Sequence, residues 1–161
     1  MQEKEERTMK KLTCMLLAVL MMLTLAGCGP KKEPIRPEDF REYMEEQDFP
    51  VLDLTDQLDP KEYREACEAI DGDFGSVEFY EMKTEDGAAA AYNYLVDQLE
   101  KGYENVSTVN SQVTTTHQGT FKITGPEYYH QVVRVENTVL YATVYKENKD
   151  VTQNMIKELG Y

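Results

Sequence analysis

Of the side chains able to do chemistry, this chain holds three cysteines, two histidines, eleven tyrosines and a large excess of carboxylates. Cys67 with His117 or His130 could form a thiolate–imidazole nucleophile pair. The competing reading makes Cys67 a small buried hydrophobe on an apolar face with Tyr63 and Ile70. Asp71-Gly72-Asp73-Phe74-Gly75-Ser76 resembles a calcium loop at its first and third positions and then departs from it. Gly75 stands at the fifth position, Ser76 where glycine is required, and Met82 where a closing glutamate belongs. An acidic hairpin turn accounts for the same residues. Two histidines without a third ligand make a poor metal site, so neither a metal nor a cofactor is expected. Tyr141 and Tyr145 fall on one face of a predicted strand. That stripe could bind a sugar, a peptide or a protein partner by stacking, or it could be core and cross-strand packing beneath the helices. Phosphate-loop, dinucleotide, zinc-protease and nucleophile-elbow motifs do not occur. No catalytic residue is therefore assigned, and the expectation is a protein that is not an enzyme.

Charge narrows the partners. The formal net charge is −13, which argues against nucleic acid, whose phosphates call for a basic patch. The excess of acid lies before residue 105, and residues 105–161 are balanced. Scattered among apolar positions, these carboxylates read as solvated helix faces, with an acidic surface for a basic or metal partner as the other reading. Apolar residues make up 41% of the chain, enough to build a core.

The N-terminus reads as an address. Residues 12–27 are apolar and uncharged, and Lys10 and Lys11 precede them. A basic segment followed by a short apolar one is a secretory signal. As a helix the run spans about 24 Å, short of a bilayer core of about 30 Å. It ends in Leu25-Ala26-Gly27-Cys28, which resembles the lipobox of bacterial lipoproteins. The resemblance implies a diacylglyceryl group on the Cys28 thiol and cleavage just before it by a dedicated signal peptidase. Two acyl chains suffice for stable anchoring. Residues 1–27 are accordingly the expected signal peptide. Residues 1–8 carry three acidic groups where a signal should be basic, so Met9 is the better start. Residues 28–37 hold three prolines and three basic residues and read as a short tether of about 28 Å at most. Lys31, Lys32 and Arg36 could touch anionic head groups.

These candidates must be positioned by a single domain over residues 38–161. A helix is expected from Glu38 to Gln47, with Phe40, Tyr43 and Met44 inward, and a short strand over residues 51–54. Asp59-Pro60-Lys61-Glu62 carries the marks of a helix start, while Cys67 to Ile70 also fits a strand entering a turn near Gly72. Ser76 to Met82 alternates as a strand, with Val77 and Phe79 on one face and Tyr80 and Met82 on the other. Thr84 is a plausible cap for a helix running to about Lys101, with Ala88, Ala91, Tyr92, Leu95, Val96 and Leu99 as its apolar stripe. Gln118-Gly119 and Asn137-Thr138 are expected hairpin turns. Asn148 is the expected cap of a last helix burying Val151, Met155, Ile156 and Leu159. The sum is an α+β fold, an antiparallel sheet with helices packed mainly on one face, laid out as two β-hairpin–helix units.

Residues 134–141, Arg-Val-Glu-Asn-Thr-Val-Leu-Tyr, and the ending Ile-Lys-Glu-Leu-Gly-Tyr are similar to small uncharacterised lipoproteins of Gram-positive bacteria. That resemblance covers most of the mature chain and implies no activity. The expected protein sits on the outer face of the cytoplasmic membrane, held by lipid on Cys28, as a non-catalytic binding or interaction domain. The alternatives are an accessory solute-binding or envelope-sensing subunit of a membrane complex and, third, a hydrolase.

Overall fold

The computed structural model describes residues 32–161. The expected signal peptide, Leu25, Ala26, Gly27, Cys28 and the first part of the tether lie outside the described residues. Helix α1 (Pro37–Glu46) starts on a proline, whose fixed φ suits the first turn, with Glu38 and Asp39 favourable to the helix dipole. It buries Pro37, Phe40 and Met44, and Ile35 already packs against the same cluster. The domain thus takes in the end of the expected tether.

Strand β1 (Val51–Asp53) is followed by a single 3-10 turn at Thr55–Gln57. The helix signal at Asp59 produces one turn: its carbonyl accepts from Glu62 and Tyr63, and its side chain accepts from Lys61 N–H at 2.9 Å. The chain then extends as β2 (Tyr63–Asp71). The strand alternative is the one that forms, because β2 pairs along its length with β3 (Gly75–Met82), and a ladder of that length outweighs a local cap. Asp71 turns the chain between them, its carboxylate accepting from the N–H groups of Asp73 and Phe74. This accounts for the calcium-like residues as a turn. Gly75 has φ of 121°, and a Cβ there would lie 2.3 Å from the Thr143 carbonyl. Only glycine fits that approach.

Helix α2 (Glu85–Gly102) is capped by Thr84, whose hydroxyl accepts from Gly87 N–H at 3.0 Å. Its buried residues are Ala88, Tyr92, Val96 and Leu99. Four strands follow: β4 (Val109–Thr114), β5 (Gln118–Thr124), β6 (Tyr128–Val135) and β7 (Thr138–Tyr145). Two turns differ from expectation. The β4–β5 turn lies at Thr115–His117, and Gly119 sits inside β5, where a Cβ would be 2.8 Å from the Tyr92 ring. That glycine makes room for an aromatic ring and shapes no turn. The β6–β7 turn is Glu136–Asn137, one residue early, with Glu136 at φ of 49°.

Helix α3 (Lys149–Glu158) closes the chain. Asn148 precedes it, but its side chain donates to the carbonyls of Asp73 and Phe74, tying the helix start to the β2–β3 turn. Val151 is exposed, and Thr152 takes its inner place beside Met155 and Ile156, its hydroxyl donating back to the Asn148 carbonyl.

The strands form one antiparallel sheet in the order β1-β2-β3-β7-β6-β5-β4. The fold is α+β, and of the three α-helices among the described residues two share a face. Helices α1 and α3 cover one side, over Cys67, Val77, Phe79, Val133 and Leu140. Helix α2 covers the other, over Met82, Phe121, Val132 and Val139. Both hairpin–helix units form, β2-β3-α2 and β6-β7-α3, and they send their helices to opposite faces. Among the described residues, no helix is long and apolar enough to cross a membrane.

Candidate functional site

The candidate residues separate across the sheet. Cys67 is fully buried on the α1 side, paired in register with Phe79, and burial pushes its thiol up to about 11. A thiol in that state is not a nucleophile at neutral pH. His130 belongs to the α2 side, and His117 lies in the β4–β5 turn with its Nδ1 3.0 Å from Glu85. The Cys–His pair therefore does not assemble. Among the described residues, no three His, Cys, Asp or Glu side chains come close enough to hold a metal ion.

The α2 side gathers something else. Alternation along β3 and β7 places Glu78, Tyr80, Tyr141, Thr143 and Tyr145 on it together. Between these strands, the first half of α2 and the segment before β2 lies a cavity of about 620 Å³. Its walls are Leu58, Tyr63, Tyr80, Met82, Tyr94 and Leu95, with Lys61 and Lys83 among the polar residues that line it. The rings of Tyr63 and Tyr80 lie 5.9 Å apart at 58°. Mostly apolar lining with a few polar groups is the usual make-up of a small-molecule pocket.

Tyr80 connects the cavity to a polar strip. Its hydroxyl donates to the Glu78 carboxylate, which is opposite Glu68 on β2 and Tyr141 on β7. Burial raises the pKa of Glu78, opposed by the Tyr80 bond, and Glu68 adds to the rise. Among the described residues, no Lys or Arg forms an ion pair with either glutamate. Next along the face is His130, reached by Tyr103 hydroxyl at Nε2 (2.9 Å) and by Thr143 and Tyr141 hydroxyls at Nδ1 (3.1 and 3.4 Å). Burial lowers its pKa to about 4, so the imidazole is neutral at physiological pH, one nitrogen donating and the other accepting.

The sequence suggests a partly exposed face through His130, Val132 and Arg134, whereas the structure buries all three. The residues after α2 close over that face: Tyr103 covers His130, and the Arg134 guanidinium donates to the carbonyls of Thr115 and Thr116 in the β4–β5 turn. Tyr141 and Tyr145 do share a face, each half-buried. Tyr145 stacks on Tyr128 across the strands, 5.3 Å apart at 25°, while Tyr141 lies parallel to the His130 ring at 6.2 Å. The stripe's rings are thus in cross-strand contact at the far end of the strip that leads from the cavity.

Glu78, Tyr80, Tyr63, Tyr94 and Tyr103 join the candidate site only through the fold. The alternation of β3 alone sets Glu78 and Tyr80 on one face, so that part of the signal was present. No family model, curated protein or solved structure matches the chain.

Proposed function

We propose that this chain is a lipid-anchored, extracytoplasmic, non-catalytic binding domain, and that its ligand is a small molecule held in the tyrosine-walled cavity beside α2. The observation that carries the proposal is that cavity of about 620 Å³, with three tyrosine rings in its walls and the Tyr80–Glu78 pair at its side. A recessed, ring-lined space suits a compact solute better than the flat apolar patch a protein partner would use. This favours the solute-binding version of the anchored domain, working as an accessory subunit beside a membrane complex. Tyrosine faces stack well on sugar or peptide surfaces, and the Glu78 carboxyl, whose pKa burial raises, adds a hydrogen-bonding group at the side of the cavity. The anchor rests on the sequence, on the apolar run and Leu25-Ala26-Gly27-Cys28.

Two experiments test this. Unfolding temperature is measured against a panel of monosaccharides, disaccharides and short peptides, on the wild type and on Tyr80→Ala and Tyr94→Ala. A ligand that stabilises the wild type and neither variant supports the site; stabilisation equal in all three proteins overturns it. For the anchor, mass spectrometry of the N-terminal peptide should find a diacylglyceryl group on Cys28, and Cys28→Ala should leave the membrane fraction. An unmodified Cys28 in membrane-bound protein overturns the anchor.

A further inference from the structure

The two edges of the sheet are built on different terms. Strand β1 is three residues long and follows Pro50, and its Asp53 is held by Arg41 and by Thr55 N–H. Short length, proline and charge are the usual ways of blunting an edge against further strands. Strand β4 has none of them. It is six residues long, all exposed, and its register with β5 is unbroken. Val109 and Val113 are 75% and 70% exposed. From Asn105 to Phe121 the chain has no Lys, Arg, Asp or Glu, within a protein of net charge −13.

The hydrogen-bonding groups that β4 leaves free among the described residues can be assigned. Thr115 N–H donates to the Gln118 carbonyl at 2.7 Å, which makes those two a bonded pair. Bonded and non-bonded pairs alternate in an antiparallel ladder, so Val113, Ser111 and Val109 turn their backbone groups toward β5. Asn110, Gln112 and Thr114 turn theirs outward.

The strand also reads alike in both directions. Thr108-Val109-Asn110-Ser111-Gln112-Val113-Thr114 is a chemical palindrome about Ser111: hydroxyl, apolar, amide, hydroxyl, amide, apolar, hydroxyl. We propose that β4 pairs antiparallel with β4 of a second copy of this chain, about a twofold axis at Ser111, joining the two sheets into one. In that register Asn110 meets Gln112 of the second copy as a bonded pair, and their outward backbone groups are the ones left free. Val109 meets Val113 of the second copy and Ser111 meets its own equivalent, as non-bonded pairs. Directly opposed residues point to the same side, so apolar packs on apolar and amide on amide. A shift of one residue puts opposite faces together, and a shift of two sets Val109 against Ser111, so the palindrome selects one register. A strand from another protein would require no palindrome. The uncharged stretch also lets two acidic chains approach without bringing carboxylates together.

The test uses the full-length chain in membranes. A non-bonded antiparallel pair has Cα atoms about 4.5 Å apart, within the span a disulfide accepts. Ser111→Cys is expected to convert most of the protein to a reducible covalent homodimer under mild oxidation, over a wild-type background set by the native cysteines. Gln112→Cys faces Asn110 and should cross-link at least tenfold less. Adding Val113→Lys, at an exposed position, should abolish the Ser111→Cys dimer while protease resistance shows the fold intact. Ser111→Cys that stays monomeric, that links instead to a different protein, or that is matched by Gln112→Cys overturns the proposal.

Discussion

Phe79 and Tyr80 are neighbours on β3, but they answer to different halves of the molecule. Phe79 is fully buried and stacks on Phe40 of α1, 5.3 Å away at 22°, in a cluster closed from above by α1, α3 and Tyr161. Of the polar groups on that side, the Tyr161 and Thr138 hydroxyls bond at 2.6 Å, Tyr43 donates to Glu158 between the two helices, and Arg41 pairs with Glu65 while its buried Nε has no hydrogen-bond partner among the described residues. Among the described residues, Tyr80 faces a single helix, which leaves part of the sheet uncovered. There the side chains are tyrosines, a neutral histidine and a half-buried glutamate. Two helices over one face give a core, and one helix over the other gives a core at one end and a cavity at the other. A site of recognition is expected where the sheet buys less burial than it could have had.

The sharpest way to break this contrast is to shorten both side chains. Phe79→Ala is expected to cost about 3–5 kcal/mol, the range for emptying an aromatic site in a close-packed core. Tyr80→Ala, already bordering open space, should cost about 1–2 kcal/mol and remove ligand binding. Urea unfolding of the two variants measures both costs. Equal losses would mean that the α2 face is as fully packed as its opposite and that the cavity is incidental.

Acid sharpens the comparison further, because the α2 face holds the buried imidazole. In the unfolded chain His130 takes up a proton near pH 6.5, whereas the folded protein keeps it neutral down to about 4. The unfolded state therefore binds more protons across that interval, and stability falls as pH drops from 6.5 to 4. The loss from this residue is about 3 kcal/mol at most. His130→Gln should remove that part of the slope, read as the difference between the variant's and the wild type's unfolding free energies at each pH. A difference that does not change with pH would show that His130 takes up its proton at the same pH in the folded and the unfolded protein.

The sequence is legible where neighbouring residues decide the outcome. The alternation of Val77, Phe79, Tyr80 and Met82, the Thr84 cap and the stripe of α2 all depend on spacing within one element, and all appear as expected. The misses are places where a distant partner decides. Asp59-Pro60-Lys61-Glu62 can start a helix, but the ladder to β3 claims the residues that would continue it. Gly119 resembles a turn glycine until the Tyr92 ring is seen against it. Thr152 is buried where Val151 is expected: Asn148, just before α3, is tied to the β2–β3 turn, and the Thr152 hydroxyl returns its bond to its own helix. The cavity was illegible for the same reason. Its walls come from α2, β2, β3 and the segment before β2, and no spacing rule joins those residues.

Glu78 gives a smaller test of opposite sign. Burial raises its folded pKa, so the folded protein holds the proton longer than the unfolded chain does as pH rises. Stability contributed by this group is thus greatest in acid and is lost as pH climbs through the raised value. Glu78→Gln keeps an acceptor for Tyr80 and has no charge to bury. It is expected to match the wild type near pH 4 and to be the more stable of the two at pH 7. Equal stability at both ends would mean that the carboxylate is solvated and the α2 face open to water at that point. If a ligand from the panel depends on the carboxyl, the same variant should lose binding while it gains stability, which is the signature of a group kept for recognition.

The stacked pair at the end of the strip offers the smallest effect. Tyr128 and Tyr145 face each other directly across β6 and β7, with Tyr128 exposed and Tyr145 half-buried. Aromatic pairs contribute about 0.5–1.5 kcal/mol beyond their burial, and partial exposure places this one near the lower end. A double-mutant cycle with Tyr128→Ala and Tyr145→Ala should return a coupling of about 0.5 kcal/mol. That value would make the stripe ordinary cross-strand packing, with recognition confined to the cavity at the other end of the face. A coupling near zero would mean that the rings stand apart in solution. The α2 face would then present stacking surfaces along the whole strip, and a longer ligand, an oligosaccharide or an extended peptide, would fit it better than a compact solute.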